Sequence, residues 1–423
     1  MSEFVIHGGR PLGGEITPGG NKNAVLPMLA ATLLTDEEVV LHNVPPIRDV
    51  ASMLEILDHL GADVTREGQT VRVRAANVRG SDIPRALCEA TRTSFMMTGP
   101  LLCRTGRAKL HPPGGDQIGR RRLDAHFYGL RQLGVEVDVE ALSFDATGGL
   151  RGRTMFFDEA SVTATEHILM VAAVAEGTTT LLNAASEPHV QDLVKLLSAM
   201  GARISGAGSN TLVIEGVQRL GGATHRVVSD HIEAGSYLAL AAATGGGLTV
   251  HDTSPSHYWM THRVFERLGI EFENAPGKLV LPAGQKPRVL ADAGGAIPRI
   301  ADGPWPQFPS DLMSVMLVLA TQAEGAVMFF EKMFESRMYF VDPLGQMGAN
   351  IIVCDPHRVV VNGRTPLHGQ TMRSPDIRAG MALVMAALCA DGECVVQNAE
   401  IVDRGYENVE DKLRGLGADI ERR

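Results

Sequence analysis

Aromatic side chains are scarce in this 423-residue sequence: they make up 5% of it, with only 2 Trp. Hydrophobic residues still reach 44%, with 18 Met and 46 Gly, so the core must be aliphatic. Positive charge is also in deficit, since 49 acidic residues outnumber 39 basic ones and leave a net charge near −10. That balance excludes the broad cationic face needed to hold a nucleic acid. Cysteine is limited to Cys88, Cys103, Cys354, Cys389 and Cys394. An odd set without a Cys-x-x-Cys pair excludes a disulfide framework and reads as free thiols in a reducing compartment. No apolar run approaches the roughly 18 residues that span a bilayer. The opening Met1-Ser2-Glu3-Phe4-Val5-Ile6-His7 has neither a basic nor an apolar signal region. The expectation is a cytoplasmic protein with no membrane partner. The sequence also lacks GxxxxGK[ST], HExxH, GxSxG and GxGxxG, so no motif calls for a metal or a cofactor.

What is present is a repeat. Leu or Met, then Gly, two variable residues and an apolar residue occur six times: at Leu60-Gly61, Leu133-Gly134, Met200-Gly201, Leu268-Gly269, Met347-Gly348 and Leu416-Gly417. Each copy closes an amphipathic stretch such as Val50–Leu60 or Val190–Met200. Gly there suits the left-handed residue that stops a helix, and the alternation after it reads as a strand. A second helix, apolar nearly all round and therefore buried, recurs at Ala24–Leu34, Ser94–Leu102, Ile168–Ala175, Ala234–Ala243, Leu312–Ala320 and Ala379–Ala390. Each repeat reads as about two helices and four strands.

After the sixth Gly stop the chain ends, one strand short. Phe4-Val5-Ile6-His7-Gly8 supplies a matching strand at the other end, and Leu12-Gly13-Gly14 parallels Leu220-Gly221-Gly222. These complementary ends favour two closed domains over an open solenoid, whose end repeats would be caps. Repeats one to three are expected to form a domain over residues 22–229, and repeats four to six with residues 1–21 another over 230–423. Two crossings between them imply a hinge and a cleft.

Charges sit before the buried helices: Lys22 and Asn23 before the first, Arg92 before the second, Asp230 and Glu233 before the fourth, Asp311 before the fifth, Asp376 and Arg378 before the sixth. The acids have a plain alternative reading as N-caps. The cations do not, because they oppose the helix dipole, and a bound anion would explain them. A second candidate is the Pro- and Gly-rich stretch over residues 111–122, which reads as a mobile lid or as a turn with solvated arginines.

At these residues the sequence resembles the enolpyruvyl transferase family. The resemblance spans essentially the whole chain. It rests most firmly on Gly20-Asn21-Lys22-Asn23-Ala24, Pro113-Gly114-Gly115-Asp116-Gln117-Ile118-Gly119, Phe308-Pro309-Ser310-Asp311 and Asp403-Arg404-Gly405-Tyr406-Glu407. It implies an α/β fold of two domains, an inside-out α/β barrel with three repeated helix–sheet units per domain. It also implies transfer of the enolpyruvyl group of phosphoenolpyruvate to UDP-N-acetylglucosamine, with no metal or cofactor. Asp311 is then the expected base and Asp116 the acid. Lys22, Arg121 and Arg404 should hold phosphoenolpyruvate, and Asn23 the sugar. Arg92, Arg337, Asp376 and Arg378 should serve substrate contact and closure. Asp116 stands where most members have Cys, and without that thiol fosfomycin has nothing to alkylate. Three positions depart from the family pattern. The uracil-lining Arg-Pro-x-Asp is Arg121-Arg122-Leu123-Asp124. A common Lys after Asn-Val-Pro is Arg48. A Gly beside the diphosphate is Thr163, in Ser161-Val162-Thr163-Ala164-Thr165. Thr163 could crowd that group or add a hydroxyl contact.

Overall fold

The computed structural model describes residues 2–115 and 118–423. By contacts the chain forms two units. The central unit comprises residues 20–115 and 122–228; the terminal unit comprises residues 2–19, 118–121 and 229–423. Each unit has its own aliphatic core.

Six helices line these cores. In the central unit they are α1 (Lys22–Ala31), α2 (Thr98–Thr105) and α3 (Val162–Ala172). In the terminal unit they are α4 (His231–Thr244), α5 (Ser310–Thr321) and α6 (Ile377–Cys389). Their sequences have almost no polar face, and nearly every residue of α3 to α6 is buried, as an all-round apolar helix requires. The second differs from expectation. Its first turns are a 3-10 helix, Arg92–Met97, and the α-helix begins only at Thr98. Local hydroxyls explain the change: Thr91 accepts a bond from the Thr93 amide, and Ser94 Oγ donates to the carbonyls of Cys88 and Thr91.

The sheets repeat one pattern. In five of them the order is a parallel edge strand, then three antiparallel strands. One example is Arg299–Ala301, Gly325–Phe330, Arg358–Gly363 and Ile351–Asp355. The second repeat has three strands rather than the expected four; a single parallel bridge, Asp82 to Lys109, stands in place of its edge strand. The strand Glu3–His7 lies between Glu393–Gln397 and Asp419–Arg422, antiparallel to both, so the start of the chain completes the last repeat. All six stop glycines have φ between 67° and 106°, the left-handed region where a side chain is strained. The Leu or Met before each is buried to 4% exposure or less, which closes the end of the preceding helix over the core.

Candidate active site

In the terminal unit, α5 places Asp311 in its first turn. Asp311 Oδ1 is 3.1 Å from Arg337 Nη2, and Oδ2 is 2.8 Å from Arg378 Nη2. The arginine side chains are only 2% and 7% exposed, whereas Asp311 is 26% exposed. Two buried guanidiniums thus share one carboxylate that still reaches solvent. Such charge-assisted bonds fix the carboxylate's orientation.

Each arginine is held from behind. Arg337 Nε lies 3.7 Å from Glu331 Oε2, and Glu331 is fully buried. Glu331 accepts bonds from Ser310 Oγ and from the amides of Met333 and Phe334. Burial raises its pKa well above the usual carboxylate range, and the hydrogen bond with Asp302 pushes the same way; Arg337 opposes the rise. Arg378 lies over the Tyr406 ring at 5.3 Å, and the Tyr406 hydroxyl meets Ser236 Oγ at 2.9 Å. Asp376 caps α6 by accepting from the Arg378 and Ala379 amides, so its Oδ1 serves the backbone. Asp230 caps α4 in the same way.

Arg404 ends the 3-10 turn Ala399–Arg404 and is half-buried. Its neighbours anchor that turn. Asp403 takes both ends of the Arg422 guanidinium, at 2.7 and 2.8 Å. Glu407 and Glu233 share Lys412, at 3.0 and 2.6 Å. Glu233 also accepts from the Gly19 amide at 2.8 Å. Arg121 has φ of 40°, rare for a residue with a side chain, and Ile118 accepts a bond from the Ser336 amide.

In the central unit, Asn21 caps α1, and Lys22 is its first residue. Lys22 Nζ meets Asp49 Oδ2 at 2.9 Å, with the two side chains 12% and 5% exposed. Asn23 follows, half-buried. Arg92 Nη2 donates to the Arg122 carbonyl at 3.5 Å. Arg122 itself pairs with Asp124 across the helix start after Leu123. Both side chains of that pair are well exposed, so it adds little to stability. Ser161 caps α3, and Thr163 stands in its first turn with Oγ1 3.0 Å from His126 Nε2. Asp116 lies outside the described residues.

The structure therefore brings Asp311, Arg337 and Arg378 into direct contact. It sets Lys22, Arg92, Ser161 and Thr163 at or just before helix starts. Sequence reading missed the supports: Asp49, Glu331, Lys412, His126 and His167. Lys412, His126 and His167 have partners in other repeats, and Asp49 and Glu331 meet theirs only through the folding of a single repeat, so no local spacing marks them. Among the described residues no group of three or more His, Cys, Asp or Glu could hold a metal. None of the described helices is long and apolar enough to cross a membrane.

The architecture is that of the enolpyruvyl transferases. The crystal structure of the enolpyruvyl transferase NikO from Streptomyces tendae is similar with TM-score 0.88 at 24% identity, covering 100% of this chain and 98% of that one. An EPSP synthase structure from Acinetobacter baumannii gives 0.77 at 16% identity, with both chains covered fully. In sequence, residues 6–413 match the EPSP synthase (3-phosphoshikimate 1-carboxyvinyltransferase) family. The chain is 49% identical over 423 residues to the UDP-N-acetylglucosamine 1-carboxyvinyltransferase of Borreliella burgdorferi, covering 100% of this chain and 99% of that protein. The enzyme of that name from Bradyrhizobium diazoefficiens is 48% identical over 422 residues, covering 99% of this chain and 98% of that protein. The chain belongs to the enolpyruvyl transferase family and is a transferase.

Proposed function

We propose that this protein transfers the enolpyruvyl group of phosphoenolpyruvate to the 3-hydroxyl of UDP-N-acetylglucosamine and releases phosphate, the first committed step of peptidoglycan synthesis in the cytoplasm. Near-half identity along the whole chain to relatives carrying that name is the observation that carries the reading. The geometry supports it. Asp311 is oriented by two buried arginines yet open to solvent, as a base for a sugar hydroxyl should be.

The reaction is an addition followed by an elimination. The sugar oxygen bonds to C2 of phosphoenolpyruvate while a proton goes to C3. The C2–O bond to phosphate then breaks and C3 gives up a proton, restoring the double bond. In this reading Asp311 takes the hydroxyl proton and Asp116 supplies the proton to C3. Lys22, Arg121 and Arg404 neutralise the phosphate and carboxylate of phosphoenolpyruvate, and bidentate guanidinium contacts favour such groups. Asn23, Arg92, Arg337, Asp376 and Arg378 contact the sugar side, Arg122, Leu123 and Asp124 the uridine, and Ser161 and Thr163 the diphosphate. What these bond changes need from the protein is proton transfer and charge stabilisation, which side chains can supply.

The deciding assay is phosphate release from phosphoenolpyruvate with and without UDP-N-acetylglucosamine. Sugar-dependent release is expected, and release that ignores the sugar overturns the reading. A second outcome follows from Asp116. A carboxylate cannot form the thioether by which fosfomycin inactivates a cysteine, so turnover should continue in excess drug. Asp116→Cys should retain activity and become sensitive; time-dependent, irreversible loss of the unmodified protein's activity would refute this.

A further inference from the structure

Behind Thr163, at the start of α3, lie two buried histidines, His126 and His167, to which the reaction scheme gives no part. Thr163 Oγ1 is 3.0 Å from His126 Nε2, and His126 Nδ1 is 3.0 Å from His167 Nδ1. His126 is 3% exposed and His167 fully buried. The edges and faces of Phe95 and the two imidazoles pack at right angles, at 5.2 and 5.7 Å. His167 Nε2, at the inner end, has no hydrogen-bond partner among the described residues. Gly99 lies so near that a Cβ there would come within 2.8 Å of it.

Both rings are neutral at ordinary pH. Burial pushes His167 down to about 3, and burial, with His167 and Arg92 nearby, pushes His126 well below its usual value. Each ring then carries one proton, and the nitrogen–nitrogen contact needs one donor and one acceptor. Two arrangements satisfy it. If His126 Nδ1 donates, His167 must carry its proton on Nε2, a buried N–H beside Gly99 with no acceptor among the described residues. If His167 Nδ1 donates, the inner Nε2 is a bare lone pair, and the His126 proton moves to Nε2. Orphaned buried N–H groups are rarer in proteins than orphaned acceptors, so the second arrangement is favoured. In it His126 Nε2–H donates to Thr163 Oγ1. The hydroxyl has accepted its bond from the interior, and its own hydrogen is left to point outward at the N-terminal end of α3, where backbone N–H groups and the helix dipole also favour an anion.

We infer that Thr163 is a hydrogen-bond donor to the diphosphate of the bound nucleotide sugar, and that His126 and His167 are positioning residues that fix it in that role. This rests on the proposed acceptor and decides between crowding and contact at this position in favour of contact.

The test uses the full-length protein and three probes, UDP-N-acetylglucosamine, UDP and uridine, by calorimetry. Thr163→Val should weaken UDP and the nucleotide sugar by about tenfold or more, the loss of one hydrogen bond to a charged group. Uridine, without phosphate, and KM for phosphoenolpyruvate should change by less than about twofold, and Thr163→Ser should restore binding. His167→Leu should weaken UDP, and adding it to Thr163→Val should cost nothing further, since the relay acts only through that hydroxyl. Additive losses, equal loss of uridine, or Thr163→Val binding UDP like the unsubstituted protein would each overturn the inference. Nitrogen-15 spectra of labelled histidines give a readout independent of activity. They should show His167 protonated at Nδ1 and His126 at Nε2, and the opposite tautomers would overturn the relay alone. Absence of sugar-dependent phosphate release in the unsubstituted protein overturns the function and this inference together.

Discussion

Replacing Lys412 by Met should destabilise the terminal unit in a way that grows with pH. Lys412 bridges Glu233 at 2.6 Å and Glu407 at 3.0 Å, with all three side chains 16% exposed or less. Burial pulls the lysine's pKa down, but the two carboxylates more than offset this and its net shift is upward. Glu233 is pushed up by burial, against the pull of Lys412, to about 7. Removing one partner of a buried ion pair costs about 3–5 kcal/mol, because it strands the other charge. For a unit of this size that is a fall of roughly 6–20 °C in the unfolding midpoint. A carboxyl raised in the folded state gives stability that is complete below its unfolded value, near 4.5, and is lost as pH rises through its folded value. In the unsubstituted protein that loss ends above about 7. Without Lys412 the folded value rises further, so the variant keeps losing up to about 1.4 kcal/mol per pH unit beyond that point. Scanning calorimetry at pH 6, 7.5 and 9 should therefore show a gap between the two proteins that widens above neutrality. Glu233→Gln combined with Lys412→Met should remove the widening. A gap under about 3 °C, or one constant from pH 6 to 9, would refute the argument that the triad is desolvated and held together by the lysine.

Three further outcomes follow. Asp49→Asn leaves Lys22 its charge but removes the carboxylate 2.9 Å away. It should lower kcat/KM for phosphoenolpyruvate by about 10- to 100-fold by steady-state assay, and it should lower the unfolding midpoint as well, because the buried lysine loses that carboxylate. Asp311→Asn should lower kcat by about 10²- to 10⁴-fold, the range for a lost general base. Its affinity for UDP-N-acetylglucosamine should change far less, so a matching loss in a direct binding titration would count against Asp311 as the base. Glu331→Gln should flatten the alkaline limb of the stability curve. The buried carboxyl is raised, its contribution is lost as pH rises, and the amide does not ionise. A midpoint at pH 9 that falls below that of the unsubstituted protein would contradict a protonated Glu331.

The repeats were legible because the stop demands a particular residue. A left-handed residue at the end of each outer helix favours Gly, and six copies mark six units. The buried helices were legible because α4, α5 and α6 leave no polar stripe. The start of the second was not, since its fate turned on two hydroxyls, at Thr91 and Ser94, that compete with helical bonding. In the site, Lys22 and Arg378 stood out because a cation at a helix start opposes the dipole. The carboxylates behind Lys22 and Arg337 did not. Asp49 reads as one more polar residue of an amphipathic helix, and Glu331 as the end of a strand. His126 and His167 form no constellation in the sequence, because only the packing of α3 against the helix Asp124–Gln132 brings them together.

The segment Asp403-Arg404-Gly405-Tyr406-Glu407 shows what a specific motif can consist of. Asp403 is tied to Arg422 on the last strand, and Tyr406 to Ser236 on α4 and to the face of Arg378. Glu407 is tied to Lys412, and Gly405 lies so near Ile377 that a Cβ would come within 2.6 Å of that side chain. Four of the five residues therefore hold the turn against four different elements, and the proposed phosphoenolpyruvate contact falls to Arg404 alone. The motif is specific because its scaffold contacts are many. Its chemistry is testable only at Arg404: Arg404→Lys should weaken phosphoenolpyruvate binding by losing the bidentate fork while leaving thermal stability near that of the unsubstituted protein, whereas Asp403→Asn should do the reverse.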